Sequence, residues 1–289
     1  MGIRKPIVAG QFYESDFNSL NKQIIECFES KKGPGALPIN KRKYCVLGAV
    51  VPHAGYFFSG SCAAWSYKAI AESEFPDLFI IIGPNHSGMG RTSTILDDWE
   101  TPFGIVKADK EFGKKLINNS CIVEDSIAHL HEHSIEVQLP FLQFVSRDHL
   151  KDLRFIPITV GFDCNVGEIA SGIKKTIQES CKKICIIASS DFTHYGFSYG
   201  YVPFSTDVKE NMQKLDNGAI SFIKSLDSRG FLEYVNKKQA TICGAVPIAV
   251  LIELMKGKAK KVNLMQYYTS ADIVGDYNNA VGYASIVFK

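Results

Sequence analysis

No stretch of the 289-residue chain approaches the roughly 20 consecutive apolar residues that a membrane-spanning helix needs. Residues 1–16 contain no apolar core long enough for a secretory signal peptide. The chain also has no excess of one charge, because 32 basic residues are balanced by 30 acidic residues and the net charge is +2. We therefore expect neither a membrane nor a nucleic-acid partner, and we expect a cytoplasmic location.

Cysteines are present, but no pair has the C-x-x-C spacing of zinc ribbons or thioredoxin-like redox motifs. Six of them stand in apolar or helical surroundings, which is typical of small buried side chains. We expect no disulfide, since the chain carries no secretory signal. The eight cysteines are Cys27, Cys45, Cys62, Cys121, Cys164, Cys181, Cys185 and Cys243.

Short apolar segments alternate with helical patterns along the chain. Four of these segments are apolar on both faces and predict buried strands, at 44–51, 77–83, 154–161 and 183–190. Strands that alternate with helices indicate an α/β fold, here a three-layer α/β/α sandwich around a mixed central sheet. No linker separates two independent cores, so we expect one domain over residues 1–289.

Polar turns that contain histidine follow three of the predicted strands. His53 lies in PHAGY after the first strand, and His86 lies in GPNHSG after the second. The fourth strand ends in SSDFTHYG, which supplies Asp191 and His194. A single histidine is more often structural than functional. Three strand ends that each supply one favour a functional site, because ligands of α/β sheets bind beyond the carboxyl ends of the strands.

A cysteine in TICGAVP is a further candidate. Thr241 predicts a helix N-cap, which would place Cys243 in the first helical turn. The helix dipole there favours a thiolate, the form of cysteine that binds metals and acts as a nucleophile. The alternative interpretation is a small buried apolar residue, which is the usual role of a free cysteine.

The segment HLHEHSIEVQLP resembles a metal site at first sight. Ser134 followed by a periodic apolar run predicts a helix start there instead. Glu132 and His133 would lie just before that start, and we expect them to contact the substrate or to support the metal ligands. We expect His129 and His131 to be solvated loop residues.

Aromatic residues flank the candidate turns. Such residues belong more often to a core than to a binding wall. Those beside polar turns are the better candidates for substrate contact. They are Phe12, Tyr13, Tyr56, Phe58 and Tyr195.

Five motifs, in this order, resemble the Memo family, also called AmmeMemoRadiSam system protein B in archaea and bacteria: PHAGY, GPNHSG, EHSIEVQLPFLQ, SSDFTHYG and TICGAVPI. The resemblance runs from about Gly10 to the C-terminus. It implies the fold of class III extradiol dioxygenases, which hold non-haem Fe(II) with two histidines and a glutamate. The matching metal ligands are His53 and His86, and the matching acid/base residue is His194. Cys243 stands where the dioxygenases have glutamate, which argues against transferring ring cleavage.

The resemblance further implies metal binding and redox chemistry of the dioxygenase type. Fe(II) is the first expectation for the metal, with copper or zinc as alternatives because thiolate is a softer ligand than carboxylate. His194 would transfer protons, and Asp191 would either orient it or join the metal ligands. Family association also suggests AMMECR1-type and radical SAM proteins as partners.

Two other functions remain open at this point. One is a non-catalytic protein that captures a peptide or a small anion in the same pocket. The other is a hydrolase with Cys243 as nucleophile and His194 as base. In each case the substrate or ligand is an unidentified small molecule or peptide.

Overall fold

The structure is a computed structural model that describes residues 2–39, 44–161, 163 and 165–289. Helices and strands alternate along these residues, as the sequence predicts. In chain order they are β1 (Ile3–Arg4), α1 (Phe17–Glu29), β2 (Gly48–Val51), α2 (Tyr56–Ala71), β3 (Leu78–Pro84), β4 (Ser93–Thr94), β5 (Asp98–Thr101), β6 (Gly104–Ala108), α3 (Lys110–Asn119), β7 (Val123–Glu124), α4 (Ile127–Leu130), α5 (Gln138–Val145), β8 (Arg154–Val160), α6 (Val166–Ser180), β9 (Ile184–Ser189), β10 (His194–Gly196), α7 (Val208–Lys224), α8 (Ser228–Lys238), α9 (Ala245–Met255), β11 (Val262–Thr269), α10 (Ala271–Val274) and β12 (Asn279–Phe288).

The strands of the described residues form one mixed sheet with the order β1-β5-β6-β8-β3-β9-β2-β12-β10. Outside this path, β11 pairs with β12, and β4 pairs with β7 and β8. The central strands β6, β8, β3, β9 and β2 are parallel to one another. The register pairs Ile82 with Ala188 and Val51 with Ser189. The carboxyl ends of β2, β3 and β9 therefore lie side by side at one edge of the sheet.

Helices cover both faces of this sheet. Successive residues of a strand point to opposite faces. Ile80 and Ile82 pack in a core with α3, α6, α7, α8 and α9. Phe79 and Ile81 pack in a second core with α1, α2 and α5. The predicted three-layer α/β/α sandwich is confirmed, and the predicted strands are buried because both of their faces carry a helical layer.

Two predicted helix starts are displaced. The helix expected from Ser134 begins at Gln138, after turns. The helix expected after Thr241 begins at Ala245, with Gly244 as its N-cap. Thr241 does not cap it because its hydroxyl is engaged elsewhere, donating to the carbonyl of His194 and accepting from that residue's backbone N–H. Cys243 therefore precedes α9 and does not lie in its first turn.

Seven cysteines fall within the described residues, and the thiols of six are free, those of Cys27, Cys45, Cys62, Cys181, Cys185 and Cys243. Cys45 and Cys181 are exposed, while Cys27, Cys62 and Cys185 are buried. Cys164 lies outside the described residues. The free thiols agree with the expectation that these cysteines form no disulfide.

No helix of the described chain has the length and apolar character needed to cross a membrane.

Candidate metal centre

Three imidazoles meet at the carboxyl edge of the parallel strands. His53 follows β2, His86 follows β3, and His133 lies in the turns before α5. One ring nitrogen from each lies within 4.8 Å of those of the other two. The rings of His86 and His133 stack with centroids 4.8 Å apart, and His53 stands nearly perpendicular to both. Donors around one metal ion lie roughly 3–4 Å apart, so a small inward movement completes a three-nitrogen site.

Hydrogen bonds hold His53 in one tautomer. Its Nδ1 lies 2.9 Å from the hydroxyl of Ser189. That hydroxyl donates its single hydrogen to the carbonyl of Ser134 and accepts one from the amide of Gln138. It must therefore accept the hydrogen of His53 Nδ1, which leaves Nε2 without a proton. Burial, with a smaller contribution from the neighbouring imidazoles, holds the pKa of His53 well below its ordinary value. The neutral ring is thus ready to donate to a metal.

Glu132 supports His86 from behind. This buried carboxylate accepts hydrogen bonds from Nδ1 of His86 at 3.0 Å, from the backbone N–H of His86 at 2.7 Å and from that of Ser134 at 2.8 Å. Burial raises the pKa of Glu132, but these N–H groups outweigh it and hold the pKa well below its ordinary value. Burial likewise lowers the pKa of His86, but the hydrogen bond and charge of Glu132 outweigh it and raise that pKa. Nε2 of His86 is left as the donor, an arrangement common behind metal-bound histidine.

His133 groups with His53 and His86, although the sequence predicted that it would contact the substrate or support the metal ligands. Its ring packs edge-on against Phe12 with centroids 4.7 Å apart, and its Nδ1 lies 3.8 Å from Glu132. Burial lowers its pKa, which favours the neutral, metal-binding form. The alternating histidines of HLHEH gave no sequence signal that separates His133 from His129 or His131.

Cys243 lies beside the three histidines and outside their group. Its Sγ is 3.2 Å from Nε2 of His53 and 3.3 Å from the backbone nitrogen of Asp191. Because Nε2 of His53 carries no proton, the thiol donates to it. Burial raises the pKa of Cys243, contrary to the thiolate expected from a helix start. That expectation was wrong because the helix begins two residues later.

Two glycines allow these segments to come together. A Cβ on Gly83, at the end of β3, would lie 2.4 Å from the hydroxyl oxygen of Ser134. A Cβ on Gly244 would lie 2.4 Å from Cβ of Ser190. Both contacts are far below van der Waals distance. The glycines of GPNHSG and TICGAVP therefore let the histidine turns and the Cys243 segment pack against the sheet edge.

Asp191 organises the turn that carries His53. Its Oδ1 accepts hydrogen bonds from the backbone N–H groups of His53 at 2.8 Å and Ala54 at 3.3 Å. Burial raises the pKa of Asp191, and the nearby imidazole of His194 opposes that rise. The carboxylate therefore fixes the backbone of the PHAGY turn.

His194 is oriented by main-chain carbonyls. Its Nδ1 lies 3.0 Å from the carbonyl oxygens of Phe192 and Thr241. Both oxygens only accept, so Nδ1 carries a hydrogen and Nε2 is the free nitrogen of the neutral ring. The expected orientation of His194 by a hydrogen bond to Asp191 is not what the structure shows. Thr241, whose hydroxyl also bonds both backbone groups of His194, takes that role.

A cavity of about 860 Å³ contains the site. This volume suits a small organic molecule. Its polar wall includes His53, His86, His133, Asp191 and His194. Its aromatic wall consists of Phe12, Tyr13, Phe57, Phe58, Tyr199 and Tyr283.

The predicted aromatic contacts divide into two groups. Phe12, Tyr13 and Phe58 line the cavity. The structure places Tyr56 and Tyr195 outside this lining. The hydroxyl of Tyr56 donates to the carbonyl of Val137, and that of Tyr195 donates to the carbonyl of Phe204, each at 2.7 Å. These two rings therefore act as packing residues with satisfied hydroxyl groups.

The N-terminal segment forms one wall of the cavity and is anchored by Glu136. This fully buried carboxylate accepts hydrogen bonds from the backbone N–H groups of Ile7 and Val8, from the hydroxyl of Tyr13 and from the guanidinium of Arg4. Removing any one donor would leave a buried charge less well satisfied. The network thereby fixes the wall that carries Phe12.

His129 is buried and not solvated, so the expectation for this residue was wrong. Its Nδ1 lies 3.1 Å from the hydroxyl oxygen of Thr159, and its Nε2 lies 3.3 Å from the carbonyl of Ser93. The short helix α4 turns the side chain inward, and burial lowers its pKa to about 4. His131 is exposed, as expected.

Several residues that orient the histidines or anchor the cavity wall carry no recognisable sequence signal. Ser189, Gln138 and Thr241 act through hydrogen bonds between segments that are more than 40 residues apart. Glu136 lies within the HLHEHSIEVQLP segment, and only its buried position distinguishes it. Tertiary contacts alone reveal these roles.

Comparison with known proteins agrees with this architecture. The family model described as "Memo-like protein" matches residues 4–287. A MEMO1 family protein of Methanopyrus kandleri is 41% identical over 293 residues, with 99% of each chain covered. A MEMO1 family protein of Saccharolobus solfataricus is 40% identical over 294 residues, and one of Pyrococcus furiosus is 37% identical over 297 residues. In both cases 99% of each chain is covered.

Among solved structures, an uncharacterized protein of Escherichia coli K12 has a similar fold. The TM-score is 0.56 and the sequence identity is 9%, with 85% of this chain and 100% of that chain covered. At this identity the likeness concerns the fold alone.

Proposed function

The chain belongs to the Memo-like protein family, and from this premise we propose that it is a metal-dependent redox enzyme of the dioxygenase type. The metal site lies at the carboxyl edge of the parallel strands, where the three histidines meet. The substrate is a small molecule held in the cavity that contains this site. The observation that carries the proposal is the group of three imidazoles with ring nitrogens within 4.8 Å of one another.

The donor set suits a first-row transition metal. His53 and His86 each have Nδ1 engaged by a partner, so Nε2 is the donor atom of each, and at His53 the thiol of Cys243 must move off this atom. His133 supplies the third donor without losing a proton. Cys243 is the alternative third donor that the sequence favoured, and it requires release of the thiol proton, which its raised pKa opposes. We propose Fe(II) as the metal. Copper or zinc becomes the better fit if the sulfur of Cys243, a softer ligand than a carboxylate, joins the site.

Fe(II), held by His53, His86 and a third protein donor, would supply one-electron redox chemistry with O₂. The chain's own contribution is orientation and proton transfer. His194 lines the cavity with its Nδ1–H held by two carbonyls, which leaves Nε2 to accept or return a substrate proton. In the aromatic wall, the ring of Phe12 packs edge-on against His133 and covers one side of that imidazole.

Two alternatives receive less support from the geometry. A cysteine hydrolase would need a low thiol pKa and a base beside it, whereas burial raises the pKa of Cys243 and its imidazole neighbour is the buried His53. A pocket for small anions would need basic side chains, yet no lysine or arginine of the described residues lines the cavity. Peptide capture remains compatible with the exposed aromatic residues at the cavity.

Metal content of anaerobically purified protein tests the proposal. We expect close to one equivalent of metal per chain, with loss of most of it in His53→Ala and His86→Ala. His131→Ala is the matched control, because it removes an exposed imidazole outside the site. Equal metal content in all four proteins would overturn the proposed site. Iron-loaded protein that consumes no O₂ with any small molecule would overturn the redox function.

A further inference from the structure

The cavity wall carries an uneven distribution of charge. Three carboxylates line it, from Glu14, Asp191 and Asp276, and of the described residues no lysine or arginine does so. Glu14 and Asp276 are exposed. Within the described chain, neither forms an ion pair, although Asp276 accepts a hydrogen bond from the backbone N–H of Asn278. Their negative charges are therefore available to a ligand that enters the cavity.

Exposed aromatic rings lie in the same wall. Phe57 is 68% exposed and packs edge-on against Phe58, with ring centroids 5.0 Å apart. Tyr199, which is 45% exposed, packs edge-on against His194. Large apolar side chains that remain exposed beside a cavity are typical of ligand contacts. The faces of such rings also attract cations, since the π-system is negative there.

We propose that the substrate of this cavity is an aromatic amine, with a flat apolar body and a positively charged amino group. The inference rests on the proposed function and adds the chemical class of the substrate. Exposed rings receive the apolar body, while Glu14 and Asp276 attract the ammonium group. A carboxylate or a phosphate ester of the same shape meets the negative charges of Glu14 and Asp276, and among the described residues no lysine or arginine lines the cavity to offset them.

Binding of three matched phenols tests this inference. Tyramine, 4-ethylphenol and 3-(4-hydroxyphenyl)propanoate share one phenol ring and a two-carbon arm. The arm carries an ammonium group in tyramine, no further group in 4-ethylphenol and a carboxylate in the propanoate. Exposed ion pairs each contribute roughly a 1.4- to 5-fold preference, so two of them give tyramine about a 2- to 30-fold tighter binding than 4-ethylphenol. The propanoate should bind more weakly than both. The measurement is NMR titration at low ionic strength, since salt screens exposed charges.

Charge-neutral variants provide the control. The double substitution Glu14→Gln with Asp276→Asn should abolish the preference for tyramine. The double substitution Glu26→Gln with Glu210→Gln should retain it, because it removes two exposed carboxylates outside the cavity lining. Tyramine that binds no tighter than the propanoate, or that fails to bind at about 10 mM, overturns the proposal. A preference that survives in the cavity variant also overturns it.

A second measurement needs no tight binding. Cationic 3-amino-PROXYL and anionic 3-carboxy-PROXYL are paramagnetic. Each therefore increases the NMR relaxation rate of nearby backbone amides in proportion to its local concentration. We expect the amides of Phe12, Phe58 and Tyr199 to be relaxed more by the cationic probe, and the opposite result overturns the inference. The measurement uses metal-free protein, because Glu14 and Asp276 lie outside the proposed donor set and a bound cation would itself repel the cationic probe. Failure to bind metal would refute the proposed function while leaving this charge preference measurable.

Discussion

Replacing Glu132 by glutamine should weaken metal binding while leaving the three histidines in place. In the wild type, one oxygen of Glu132 accepts from Nδ1 of His86 and from Ser134 N–H, and the other accepts from the backbone N–H of His86. Glutamine offers a single acceptor oxygen, so its NH₂ group must face at least one of these donors. An unsatisfied buried donor costs roughly 1–3 kcal/mol of folding stability.

We expect Glu132→Gln to lower the metal affinity more than substitution of an exposed glutamate does. Substitution of the group behind a metal-bound histidine typically weakens binding about 10- to 100-fold. This corresponds to about 1.4–2.8 kcal/mol of binding free energy. The assay is Zn(II) titration against a competing chelator at about pH 8. Glu210→Gln is the control, because Glu210 is an exposed glutamate of α7 that lines no part of the cavity.

The pH dependence supplies an independent check. Glu132 raises the pKa of His86, so in the wild type protons compete with the metal as the pH falls through this raised value. In Glu132→Gln that competition begins at lower pH, because the pKa of His86 falls. The affinity gap between the two proteins should therefore be largest at alkaline pH and narrow on acidification. Equal affinities near pH 8, or a gap that widens as the pH falls, would refute the assigned role of Glu132.

Three further predictions have defined outcomes. Burial raises the pKa of Asp216 from 3.8 to about 6. Between about pH 4 and pH 7 the wild type should therefore lose about 2.4 kcal/mol of unfolding free energy relative to Asp216→Asn, as measured by denaturant titration, and a constant difference would contradict this. His194→Ala should keep its metal while any turnover falls about 10²- to 10⁴-fold; loss of metal would make His194 a ligand. His133→Ala should lower metal content more than Cys243→Ser, and the reverse order would restore the ligand set predicted from the sequence.

Part of the site follows from the sequence because of sheet geometry. Parallel strands end at a common edge, so polar turns after β2, β3 and β9 had to meet there once the strands were recognised. The buried strands themselves were predictable because their apolar residues face helices on both sides. His53, His86, Asp191 and His194 were found by this logic, and all four line one cavity.

The remainder depended on contacts that a sequence pattern does not contain. In HLHEH, His129 points into the core and His133 points to the cavity, and the difference arises from the four-residue helix α4 and the turns after it. The predicted helix start near Cys243 was wrong for a similar reason. Threonine is a good N-cap in general, but the hydroxyl of Thr241 is occupied by the backbone of His194.

The partners of Nδ1 give the histidines of the site different chemical properties. His53 and His194 donate to uncharged oxygens, from Ser189 and from main-chain carbonyls, whereas His86 donates to the carboxylate of Glu132. An anionic partner increases electron density on the ring, so Nε2 of His86 is the strongest of these donors. His86 is also exposed, while His53 is 2% exposed and hydrogen-bonded to the thiol of Cys243. A metal should therefore bind His86 first and reach His53 only by displacing that thiol, which makes Cys243 a determinant of metal entry even where it is not a ligand.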